Sequence, residues 1–289
     1  MLPTFVIFLR EGVEASMIIA ILLAYLARSG HREHFKDVFL GVGAALLLAF
    51  GGGALTFILI HSYEGSRFQA IFETGTYLVA CAVLTYMTFW MHAHARTLSR
   101  DLRERTDRAM GRGARVSLAL VAFQAVGREG LETVVFTLAI FFAASGSQAN
   151  FAASVPAAAL GAALGLLTAL GVALAIYRLG HRINLGRFFQ MVGALLMLFA
   201  AGLLADAVEN LQQLGWLPLL AHPLWNTSAQ LSQQGALGDV LHTFLGYAAQ
   251  PTALQALAYV VYVVGAVGGF LWIGSRGRPP RPQPATSAG

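Results

Sequence analysis

Cysteine is almost missing from this sequence: Cys81 stands alone among 289 residues. No intrachain disulfide can form, and no thiolate metal site can be assembled within the chain. Lysine is as scarce, with Lys36 the only one. It falls between apolar runs, which excludes a retinal-type Schiff base inside a membrane helix. The histidines all lie at the edges of apolar runs or in connections. Paired axial haem ligands and the histidine base of an intramembrane serine protease are therefore both lacking. Charge is scarce too, with Asp, Glu, Lys and Arg making up 11% of the chain, where soluble domains carry about 25%. Hydrophobic residues make up 57%, and the mean hydropathy is +0.65. A water-soluble core of this size cannot hide that much apolar surface. The bilayer is the natural solvent, and a polytopic all-α membrane fold is the expectation.

Seven apolar runs are long enough to span, at residues 2–27, 38–60, 69–91, 117–143, 153–177, 188–208 and 253–273. The first holds Arg10, Glu11 and Glu14, unlike the uncharged centre of a cleavable signal, so it reads as a retained helix. The net charge of +5 is topological. Of the 19 basic residues, 16 fall in the connections after runs one, three and five and in the tail after run seven. By the positive-inside rule the N-terminus lies outside and the C-terminus in the cytoplasm, which argues against a nucleic-acid partner. The link between runs three and four alternates in charge and predicts a solvated cytoplasmic helix. The tail, residues 276–289, is Pro-rich and polar and predicts disorder. The domain reading is one transmembrane domain over residues 1–275, followed by that tail.

Two short stretches carry the chemistry, FLREGVEASMI from residue 8 and VGREGLETVVF from residue 126. Each places an Arg, a Glu and a second Glu inside a spanning run, where a charge costs about 2.5–3.5 kcal/mol at the helix centre. Arg10 and Glu14 are four apart and Glu11 and Glu14 three apart, so all three share one helix face. Gly12 falls on the far side, where it can admit a neighbouring helix. Arg128 follows Arg10 by 118 residues, and the same offset pairs Gly12 with Gly130, Gly43 with Gly161, Gly53 with Gly171 and Gly75 with Gly193. That register suggests a duplicated three-helix unit, at about 1–92 and 117–210, with an outer loop at about 211–252 and a seventh helix at about 253–274. Three is odd, so the second copy enters the membrane from the other side, an inverted repeat with its site at the interface. Glu11, Glu14, Glu129 and Glu132 then converge, with Arg10 and Arg128 beside them. Carboxylates are hard ligands for hard cations. The competing reading is a set of buried Arg–Glu pairs that only locks two helices together.

Other candidates are weaker. Glu73, in the outer part of run three, has Met191 as its mate at the same offset and is a candidate ligand or proton relay. Tyr77 and Thr76 lie one turn on and are candidates to line the path. Asp206 and Glu209 stand at the outer end of run six as possible cation collectors. Asp239 and His242 in the outer loop, and His92 and His94 beside the belt residue Trp90, are as readily surface or interfacial residues.

The paired REGxE motifs on the first and fourth of seven helices resemble the oxidase-dependent iron permease family, which includes the fungal high-affinity permeases and the bacterial EfeU-type permeases. The similarity extends to IFETG, MTFWM, RINLGRFF and AAGLLADAVENLQQLGWLP. It implies iron passage through Glu11, Glu14, Glu129 and Glu132, with iron as transported substrate and no cofactor. It also implies a bacterial inner-membrane location and periplasmic helper proteins, a haem peroxidase among them. The alternatives are a permease for manganese or lead, or a membrane metal sensor that does not transport.

Overall fold

The computed structural model describes residues 1–63, 65–94, 98–110, 114–144, 151–179, 185–231, 238, 241–242 and 245–276. Among these residues the protein is all-helical: α1 (Leu2–Arg28), α2 (Phe35–His61), α3 (Arg67–His94), α4 (Leu98–Ala109), α5 (Ala114–Ala144), α6 (Phe151–Leu179), α7 (Leu185–Gln213) and α8 (Ala253–Arg276). A 3-10 turn at Arg32–His34 leads into α2. Helices satisfy every internal backbone group within the segment, which lipid cannot do for them. Each apolar run falls within one helix. Among the described residues, four segments are long and apolar enough to cross a membrane, namely Arg32–Ile60, Arg67–Met91, Val155–Ala175 and Phe188–Gln213. The motif helices α1 and α5, of 27 and 31 residues, are long enough, but their buried charges interrupt the apolar stretch.

The remaining helix, α4, differs from the expected solvated link. Its Leu102, Thr106 and Ala109 are buried, and Tyr25 of α1 donates a hydrogen bond to Asp107. The outer face holds Arg100 and Arg108 against Glu104 at 3.1 and 3.8 Å. One apolar stripe suffices to dock the helix across the ends of α1 and α5, and the arginines stay in water. The tail beyond Arg276, Asp239 and the side chains of His92 and His94 lie outside the described residues.

Packing is crossed between the two halves: α1 lies along α6 and α5 along α2, while α3 lies on α7 and α8 packs on α7. Small residues make these approaches possible. A Cβ on Gly12 would stand 2.8 Å from Ala169 Cβ, and one on Gly130 would stand 2.9 Å from Ala49 Cβ. Gly41 faces the carbonyl of Ala119, and Gly161 faces that of Met1. The two interfaces therefore correspond with an offset of 118 for the motif helices but 120 for their partners, pairing Gly41, not Gly43, with Gly161. The offset of the partner helices is thus two residues larger, so the ungapped register expected from sequence does not extend to α2 and α6.

Two apolar clusters bracket the motifs. One joins Ile7, Leu84, Phe136 and Phe199. The other joins Leu22, Leu26, Val38, Leu118 and Val126 at the end that carries α4, the basic end of the bundle. Along both α1 and α5 the motif residues fall between the two clusters, near mid-height.

Candidate metal centre

Helical spacing builds each half of the site locally. Four residues apart, Arg10 Nε donates to Glu14 Oε1 at 3.1 Å, and its Nη1 lies 3.2 Å from Glu11 Oε1. On α5, Arg128 Nε donates to Glu132 Oε1 at 3.0 Å. Its Nη2 points at the Met87 sulfur, and its guanidinium stands over the Trp90 ring, 4.8 Å from the centroid.

The packing of α1 on α5 then adds what no single helix can. Glu11, Glu14 and Glu129 each bring a carboxylate oxygen to within 4.8 Å of the others, and all three are buried. Both oxygens of Glu11, and one each of Glu129 and Glu132, accept no hydrogen bond from the protein. Buried carboxylate oxygens that accept no hydrogen bond are costly even beside an arginine, and several close together repel one another as well. A hard cation shared among their oxygens would relieve both terms. Glu132 stands at the edge of this trio, held by Arg128.

The other sequence candidates form a separate zone at the opposite end from α4. Glu73, half-buried, accepts a hydrogen bond from Gln69 Nε2 at 2.8 Å. Glu209 accepts from Gln255 Nε2 of α8 at 3.1 Å and from Gln213 at 3.2 Å. Asp206 lies within electrostatic reach of His242. Buried Tyr77 is within reach of all three acids, while Thr76 is turned back onto the carbonyl of Phe72. The sequence marks Trp90 only as a belt residue and gives Met87 no role. Their shared face on α3, three residues apart, was the available sign.

A helical membrane protein with buried acids gathered between two crossing helices belongs among proteins that handle cations inside the bilayer. The chain is a member of the iron permease FTR1 family, whose model matches residues 1–274. It is 33% identical over 276 residues to the ferrous iron permease EfeU of Escherichia coli O6:H1, covering 94% of this chain and 95% of that protein. Against EfeU of Yersinia pestis it is 32% identical over 272 residues, covering 92% of each. No solved structure matches the chain. The family is one of permeases, not enzymes, and the protein is membrane-embedded with iron as its substrate class.

Proposed function

We propose that this protein imports iron across the bacterial cytoplasmic membrane through Glu11, Glu14, Glu129 and Glu132. The observation that carries this reading is the buried trio Glu11, Glu14 and Glu129 on two different helices, with orphaned oxygens. Arg10 and Arg128 hold the acids while no cation is present and yield them when one arrives, since guanidinium and metal compete for the same oxygens. Seven spanning helices, with α4 at the cytoplasmic surface, form one permease domain over residues 1–275. Helices α1–α3 and α5–α7 are its inverted repeats, and α8 is the added helix. The crossed pairing of α1 with α6 and α2 with α5 supports that duplication. The N-terminus is outside, and the basic end, with the tail, is cytoplasmic.

Glu73, Asp206 and Glu209 make an entrance zone on the outer side, around Tyr77. With Glu73 outside the central cluster, four glutamates face two arginines there. That formal balance suits a divalent ion, and the relatives' names specify ferrous iron. Periplasmic helpers, including a haem peroxidase, supply the iron, a role that rests on the family resemblance alone.

The test is uptake of radiolabelled Fe²⁺ into proteoliposomes. Glu14→Gln and Glu132→Gln keep side-chain volume while removing a charged ligand, and each is expected to abolish uptake in protein that still reaches the membrane. Normal transport by both folded variants would make the glutamates structural and end this reading. Competition by Mn²⁺ and Pb²⁺ in the same assay decides between iron and another metal.

A further inference from the structure

The two motifs are alike in sequence and unlike in exposure. Val6, Arg10 and Glu14 lie four apart along α1 and are all buried. Their counterparts 118 residues on are Gln124, Arg128 and Glu132. Gln124 is exposed, and the side chains of Arg128 and Glu132 are 40% and 11% accessible, against 3% and 5% for Arg10 and Glu14. A groove of about 620 Å³ runs along this stripe, walled by Met87, Trp90, Phe123 and Leu131.

The groove has a direction. Helical side chains lean toward their own N-terminus, and α5 begins at the basic end. Trp90 and Met87 lie in the last two turns of α3, immediately before α4. Arg128 therefore reaches from the acid cluster toward the basic end, while Arg10, on the antiparallel α1, leans the other way and is sealed. A half-exposed arginine at this depth is tolerated only beside a partner or a hydrated path. It has a partner, since an aromatic face and a thioether seat its guanidinium beside Glu132, and Gln124 lies one turn further along the same groove.

We propose that this groove is the path by which the cation leaves the cluster, and that Trp90 is the positioning residue that holds Arg128 aside as it passes. The proposal rests on the permease reading above. A cation reaching Glu132 competes with the Arg128 fork for the carboxylate. The displaced guanidinium keeps the π-face of Trp90 and the Met87 sulfur, so it needs no full rehydration to move. When the cation has gone, Arg128 falls back on Glu132 and closes the path.

The experiment combines transport with sided labelling of the full chain in proteoliposomes. Trp90→Leu is expected to lower the maximal Fe²⁺ uptake rate about two- to fivefold, the scale of a cation–π contact at a partly exposed site, at an unchanged half-saturating concentration. Trp90→Phe, which keeps an aromatic face, is expected to recover most of that rate. In a Cys81→Ser background, Gln124→Cys is expected to react with a membrane-impermeant thiol reagent from the basic side only, and more slowly when Fe²⁺ is present.

Wild-type uptake by Trp90→Leu would overturn the proposal, as would a Trp90→Phe no faster than Trp90→Leu. So would a Gln124→Cys that is unreactive from the basic side, or equally reactive from both. Should Trp90→Leu fail to fold, the labelling decides alone. If Glu14→Gln and Glu132→Gln abolish uptake while these outcomes fail, only the release path falls. If the glutamine variants transport normally, the site reading falls with it.

Discussion

Helix α1 carries Arg10–Glu11–Glu14 and α5 carries Arg128–Glu129–Glu132, yet the first arginine is buried and the second opens onto a groove. The local geometry is the same in both, with the arginine Nε on the glutamate four residues ahead at 3.1 and 3.0 Å. What differs is the surroundings. Arg10 binds two carboxylates of its own helix and, among the described residues, no aromatic ring, whereas Arg128 binds one and rests on Trp90 and Met87 of α3. The same motif thus sits in two different surroundings, one sealed and one open onto a groove.

The comparison predicts unequal costs for equal substitutions. Arg10→Ala strips the counter-charge from two buried glutamates, which costs about 3–5 kcal/mol for a broken buried pair. Arg128→Ala removes a half-exposed partner and costs about 1 kcal/mol. Thermal unfolding in detergent measures both, and equal losses would erase the asymmetry.

The glycines sharpen the opposite side of the comparison. Gly12→Ala and Gly130→Ala each drive a Cβ into an alanine methyl at nearly the same separation. Each should cost about 1–3 kcal/mol by overpacking, and a gap between them wider than that range would break the correspondence of the two interfaces.

The smallest effect is expected at Glu73, which has no acidic mate in α7. Glu73→Gln should raise the half-saturating iron concentration a few-fold, as loss of one steering charge does, and leave Fe²⁺ binding in detergent intact. Abolished binding would make Glu73 a central ligand and remove the separate entrance zone.

Much of this was legible in the chain itself. Apolar runs of spanning length mark every long helix, because lipid admits few alternatives. The i, i+4 spacing of Arg10 with Glu14 fixes their pairing on one helix face. Gly12 on the far face foretold the close approach now seen against Ala169. The docking of α4 was not legible, since its buried stripe is only Leu102, Thr106 and Ala109 within a run of charges. Nor was the two-residue change of offset between α2 and α6, because small apolar residues recur so often there that several registers look alike.

By itself, then, the sequence determined that the protein lives in a membrane, that its helices run where they do, and that two copies of one charged motif sit within them. Solvent and helical periodicity impose those features locally. Only the tertiary structure decided that Glu132 stands outside the trio of Glu11, Glu14 and Glu129, and that Arg128 rests on Trp90 while Arg10 is sealed. Those choices depend on which helices cross and at what height, and packing between residues about forty to more than a hundred positions apart sets that height.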